Sequence, residues 1–399
     1  MGIQREIGGS PAPWAVRVLA ASVGSTLLAM MPAFMLGGLA VFVRQDLGFD
    51  RSGIGFAVSV FFFASMVGSL HGGRLAQRLG PRRGIHVAAA TSIAALLTIA
   101  ILAQSWIHLA LALGLAGVGN AIAQPAANLA LAQGIDQRRQ GFAFGLKQSA
   151  VPLASLLAGL AVPVLALTVG WRWAFGAAAA FAALLVLLLP TKLQSPATYA
   201  ARRGFRAEQG TFLRFALAGG LGTAGTTSLG AFLVESLVDR EMDVALAGLI
   251  LAAGSLGAIG VRLALGVSVD RNKSLTIHVR LVATMLATAA VGFFLMASTP
   301  VGPILVMGAL IACVGTSAWQ GLYHFAVVRR SEVPASATGV TQAGMFAGGV
   351  IGPSVFGAVA SVSFLLAWTL VGMASSVAAI LVYLDSTKAT EAPRREATA

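Results

Sequence analysis

The sequence is short of charge. Asp, Glu, Lys and Arg make up 10% of its 399 residues, where soluble domains carry about 25%. A water-soluble protein of this size needs a polar shell that so few residues cannot supply. Acids are scarcest, 14 against 27 Lys and Arg, and none lies deep in an apolar run. Glu235, near the end of one, is the best placed and is expected at headgroup level. Cys313 is the single cysteine, which excludes an intrachain disulfide. The five histidines are scattered without metal-ligand spacing, and no nucleotide loop or nucleophile–base set stands out. No metal or cofactor is expected, and an enzyme is disfavoured.

What is present is apolar. Residues of the AVILMFWYC set make up 57% of the chain, in runs long enough to cross a bilayer core of about 30 Å. The runs are approximately 15–43, 52–78, 84–104, 107–134, 142–169 and 171–190, then 211–236, 243–268, 276–298, 302–328, 336–360 and 362–384. The first, behind Arg5 and Arg17, is too long for a signal-peptide core and is read as a span. The expectation is an all-α integral membrane protein with twelve transmembrane helices. A formal charge of +13 ordinarily points to nucleic acid. Here the arginines sit in short gaps between apolar runs, so the expected partner is the lipid bilayer and not nucleic acid.

Those gaps are uneven. One set holds Arg74, Arg78, Arg82, Arg83, Arg138, Arg139, Lys192, Arg202, Arg203, Arg206, Arg271, Lys273, Arg329 and Arg330, whereas the other holds Arg44, Arg51, Arg172 and Arg240. The positive-inside rule makes the first set cytoplasmic, and an even span count puts both termini there, in the cytoplasmic membrane. Residues 191–210 form the long polar interruption. It divides the chain into a bundle over 1–190, a cytoplasmic linker over 191–210 and a second bundle with a short tail over 211–399.

The halves repeat. Gly73-x3-Gln77-Arg78 returns as Gly266-x3-Asp270-Arg271, offset 193; Gly145-Leu-Lys147-Gln148 returns as Gly339-Val-Thr341-Gln342, offset 194. Gly119-Asn120-x3-Gln124-x3-Asn128 returns as Gly315-Thr316-x3-Gln320-x3-His324, offset 196. Three ordered matches at nearly constant offset indicate duplication. Parallel six-span repeats describe one transporter architecture.

The chain resembles the major facilitator superfamily over nearly its whole length. The residues that carry the likeness are Gly73-Arg74-Leu75-Ala76-Gln77-Arg78-Leu79-Gly80, followed by Arg82 and Arg83. They match the signature between the family's second and third helices, except that Gln77 stands where the family usually has Asp. The second copy keeps its acid as Asp270. The resemblance implies two pseudo-symmetric six-helix bundles. It also implies a cytoplasmic gate at Gly73, Gln77, Arg78, Gly80, Arg82, Arg83, Gly266, Asp270 and Arg271. The Lys-Gln-x3-Pro-Leu pattern and Arg262 look closest to porters of the cyanate/nitroimidazole or oxalate/monocarboxylate type.

Polar residues within spans are expensive and mark candidate solute contacts. Arg262, in the eighth span, is a cation for an anionic solute or a snorkelling structural residue. Asn120, Gln124 and Asn128 share one face of the fourth span at i, i+4, i+8. Thr316, Gln320 and His324 repeat that stripe in the tenth. In the family these helices line the central cavity; the bland alternative is interhelical packing. Lys147 and Gln148, Thr223, Thr226, Thr227, Ser25 and Tyr323 complete the candidate set. The expected activity is secondary transport of a small organic solute by alternating access, an anion or monocarboxylate favoured. His324 is the candidate for coupling to a proton, and a monomer is expected. Efflux of hydrophobic drugs on the same fold is the alternative, and a membrane sensor or enzyme the third reading.

Overall fold

The computed structural model describes residues 13–135, 139–188, 209–271, 274–298, 302–331 and 334–396. The chain is helical because a bilayer core offers no water to backbone N–H and C=O groups, and a helix satisfies them within one segment. The order is α1 (Pro13–Gly38), α2 (Ala40–Leu47), α3 (Arg51–Leu102), α4 (Trp106–Gly134), α5 (Gln140–Gln148), α6 (Ala150–Ala161) with a π turn (Val162–Ala166), and α7 (Trp171–Leu188). Then follow α8 (Gln209–Val238), α9 (Val244–Arg271), α10 (Leu275–Ser298), α11 (Pro303–Arg330), α12 (Pro334–Ala360) and α13 (Phe364–Glu396). Among the described residues eleven helices are long and apolar enough to cross a membrane, and Trp171–Leu187 is a shorter apolar helix. The chain is a multi-pass membrane protein.

Two expected spans lie within α3, divided at Gly80, whose φ of 73° and ψ of 164° suit a residue without Cβ. The chain reverses there. Before it, Gly53, Phe61 and Gly68 meet Trp106, Gly117 and Ala121; after it, Gly84 and Thr91 meet Ala126 and Gly119. The arms therefore run in opposite directions along α4. Arg78, Arg82 and Arg83 are exposed beside this turn, which marks the basic end of the molecule. The side chains of Gln77, Asp270 and Arg271, and residues 191–208 of the expected linker, lie outside the described residues.

Small residues set the packing distances. On α12, Gly344, Gly348 and Gly352 lie against Ala216, Gly220 and Ala224 of α8, and a methyl added at Gly348 would fall 1.9 Å from the Gly220 oxygen. Lipid tails are as apolar as a leucine side chain, so close backbone approach supplies the association energy that water supplies elsewhere.

The packing also repeats. Added Cβ atoms would fall 2.0 Å from Gly230 O at Gly37, 2.1 Å from Pro353 O at Gly55 and 2.5 Å from Gly248 O at Gly159. Gly37 and Gly230 stand 193 residues apart, as do Gly55 and Gly248, while Gly159 and Pro353 stand 194 apart. Contacts between α1–α6 and α8–α12 thus follow the sequence repeat. These three lie toward the end opposite the basic loops, the Glu235 end. At the basic end Gly145 of α5 approaches Gly266 of α9, a Cβ on Gly145 lying 3.5 Å from the Gly266 Cα. Its repeat counterpart Gly339 has nothing within 4 Å of an added Cβ. The α5–α9 seam is closed there.

Candidate functional site

The helical spacing of the fourth-span stripe places Asn120, Gln124 and Asn128 on one face of α4, where they join Lys147 of α5. The ammonium donates to Gln124 Oε1 at 2.6 Å and Asn128 Oδ1 at 2.8 Å. Gln124 donates onward to Asn120 Oδ1 at 3.3 Å, and Asn120 to Ser65 Oγ of α3 at 3.0 Å. Ser65 is a member of this chain that the sequence did not single out. Lys147 is 2% exposed. Exposure rises along the stripe from buried Asn120 through half-buried Gln124 to exposed Asn128, toward the basic end.

The second stripe behaves alike, from buried Thr316 and Gln320 to half-buried His324. Thr226 Oγ1 of α8 lies 2.9 Å from the Thr316 carbonyl. His324 Nδ1 lies 2.8 Å from the Gln320 carbonyl and Nε2 lies 3.1 Å from Gln342 Oε1 of α12. A carbonyl only accepts, so Nδ1 carries a proton. The Gln342 amide, turned either way, can pair with Nε2 of the neutral or the charged ring. Gln342, the repeat counterpart of Gln148, was legible as a repeat position and not as a partner of His324.

Arg262 of α9 joins the two sets. It is 3% exposed. Its Nε donates to the Ser317 carbonyl of α11, one terminal nitrogen to the Gln148 carbonyl of α5, and the other to Gln320 Oε1 at 2.8 Å. His324 stands within electrostatic reach of both Lys147 and Arg262. Every acceptor described for the two cations is neutral. Ion pairs among the described residues involve Arg44, Arg51, Arg172 and Arg214, not Lys147 or Arg262. A guanidinium has five N–H groups and an ammonium three, so two on Arg262 and one on Lys147 are not engaged by these bonds.

The other candidates make contacts of their own. Tyr323 is fully buried, bonds the Phe215 carbonyl and packs edge-on to Trp319. It stands one position off the stripe toward α8, and its ring meets that of His324 edge-on, 5.8 Å between centroids. Thr223 and Thr227 donate to the carbonyls of Gly219 and Thr223 at 2.7 and 2.9 Å, the usual back-bond of a hydroxyl in an apolar helix. Ser25 is buried with its hydroxyl unpartnered among the described residues. A cavity of about 600 Å³ lined by Phe49, Asp50, Phe56, Trp106 and Ser354 lies at the Glu235 end and contains no stripe residue.

Glu235, the acid expected at headgroup level, is 2% exposed, covered by two arginines from earlier in the chain. Its Oε1 stands 2.8 Å from Arg44 Nε and 3.2 Å from Arg51 Nε. Arg51 also pairs with Asp239, donates to the Ala360 carbonyl at 2.9 Å and lies 4.5 Å over the Phe364 ring. One arginine at the start of α3 thus touches α8, α12 and α13.

Membrane-crossing helices packed on short Gly-lined seams, with polar stripes and buried cations between them, define a polytopic membrane protein. A sequence profile of the Major Facilitator Superfamily matches residues 23–353; the chain belongs to that superfamily and is a membrane transporter. No curated protein matches it.

Proposed function

We propose that the protein is a secondary transporter that moves a small organic anion, such as a carboxylate, across the cytoplasmic membrane by alternating access. The observation that carries this reading is the pair Lys147 and Arg262, buried within the spans and held by neutral acceptors alone. Burying a charge costs several kcal/mol per ion, even after relaxation, unless an opposite charge answers it. An anionic solute supplies that charge and takes the unengaged N–H groups. A hydrophobic cation would meet repulsion instead, which disfavours drug efflux.

In this reading the short apolar helix Trp171–Leu187 is the twelfth span. Residues 1–190 and 211–399 are six-helix halves about a pseudo-twofold axis near Gly37 and Gly230. The offsets of 193 and 194 between matching contacts support that arrangement. The basic end with both termini is cytoplasmic, the monomer is the working unit, and His324 is the group to test for proton coupling.

Uptake of radiolabelled organic anions, neutral solutes and organic cations into proteoliposomes tests the proposal. Wild type is expected to carry at least one anion class, and Arg262→Ala to lower its kcat/KM by about tenfold or more, as for loss of a charge-assisted bond. Equal transport of neutral or cationic solutes by both proteins would overturn it.

A further inference from the structure

The bond from Arg262 to the Gln148 carbonyl has a cause in the sequence. In a regular helix that carbonyl would accept from the N–H of the residue four positions on. That residue is Pro152, which has no N–H. The neighbouring ladder is intact: Ser149 N bonds Gly145 O and Leu153 N bonds Ser149 O, each at 3.0 Å. The Gln148 oxygen is therefore left over inside the membrane, where an unsatisfied carbonyl is costly, and Arg262 of the facing helix fills the vacancy. Close approach makes the bond possible: α5 carries Gly145 and α9 carries Gly266 where they meet. The other two acceptors of Arg262 both lie on α11, so the Gln148 oxygen is its only described hydrogen bond into the first half.

We infer that Pro152 is a positioning residue for Arg262. By withholding an N–H it frees the Gln148 carbonyl, which orients the guanidinium and ties the solute site to the closed α5–α9 seam. The consequence for transport rests on the anion reading of Arg262; the tie itself does not. Both Pro152→Ala and Pro152→Gly restore the N–H, so both return the Gln148 carbonyl to its own helix, although they differ in backbone flexibility.

The test uses the full-length protein with Cys313→Ala and the pair Gly145→Cys/Gly266→Cys, in proteoliposomes without added solute. The rate of disulfide formation reports closure of the seam. Both proline variants are expected to slow cross-linking by about tenfold, the equivalent of one hydrogen bond from a charged donor. Neither should slow it further when Arg262→Ala is already present, because the effect passes through that side chain. In uptake assays without the cysteines, both variants are expected to raise KM for the carried anion several-fold with little change in kcat. Gel filtration confirms that each variant is folded. Wild-type cross-linking rates in both proline variants would overturn the inference, as would slowing by Pro152→Gly alone or slowing that persists without Arg262. Cross-linking as expected in a protein that carries no organic anion would leave the tie standing and sink the anion reading.

Discussion

A single side chain decides where α3 begins. Asp50 is extended, with ψ of 177°, and its carboxylate accepts from Gly53 N at 3.2 Å and Ser52 Oγ at 2.6 Å. It answers one of the N–H groups that a helix start leaves unpaired. The Ser52 hydroxyl is the main reason its carboxyl titrates below the ordinary value of 3.8. A lowered carboxyl stabilises the fold fully above that value, and the contribution fades as pH falls below it. Asp50→Ala is expected to cost about 1 kcal/mol, seen as a lower melting temperature in detergent at pH 7. The difference from wild type should shrink below roughly pH 4. A constant difference across that range would show that Asp50 acts through something other than its charge.

At the scale of elements, the α8–α12 seam tolerates least. Gly348 sits where a methyl would meet the Gly220 oxygen at 1.9 Å, and Gly344 where one would meet the Ala216 oxygen at 2.2 Å. Both neighbours are backbone and cannot swing away. Gly348→Val is expected to destabilise the protein by about 3 kcal/mol or to force the helices apart, checked by thermal aggregation of purified protein. Gly339→Ala, at an open position of the same helix, should change little. Spacing in the sequence shows a run of small residues on α12. It does not show which helix they meet, because i, i+4 periodicity names a face and not its partner. The stripes of α4 and α11 were legible for the opposite reason. Polar groups in apolar helices must find hydrogen bonds, so the pattern itself announces a site.

For the whole molecule, the Arg44–Arg51–Glu235–Asp239 cluster is a charged contact across the Glu235 end. It joins α2 and α3 to α8, with Arg51 continuing to α12 and α13. In the alternating-access cycle proposed above that end opens, and the cluster parts as it does. Spin labels at Gln104→Cys, between α3 and α4, and Val362→Cys, between α12 and α13, both exposed, measure the opening in a Cys313→Ala background. Asp239→Asn and Glu235→Gln are each expected to raise the long-distance population about tenfold, as loss of about 1.4 kcal/mol of pairing would. An unchanged distance distribution in both variants would show that the Gly-lined seams close this end unaided.

Composition alone determined the solvent of this protein. Too few charges to coat a globule, and apolar runs of span length, leave the bilayer as the only fit, and the basic loops mark one end. The repeat was also legible, since duplicated positions keep their spacing whether or not they touch. Partnership was not. Glu235 and Arg51 lie 184 positions apart, and Gln148 and Arg262 lie 114 apart; such pairs leave no periodic trace in a chain. Only the packed helices decided that Glu235 is buried against arginines, that Tyr323 bonds the Phe215 carbonyl of α8, and that the carbonyl left free by Pro152 is taken by Arg262. The physical reason is that a helix fixes its own backbone bonds locally, whereas a buried charge is answered by whichever group folding brings alongside it.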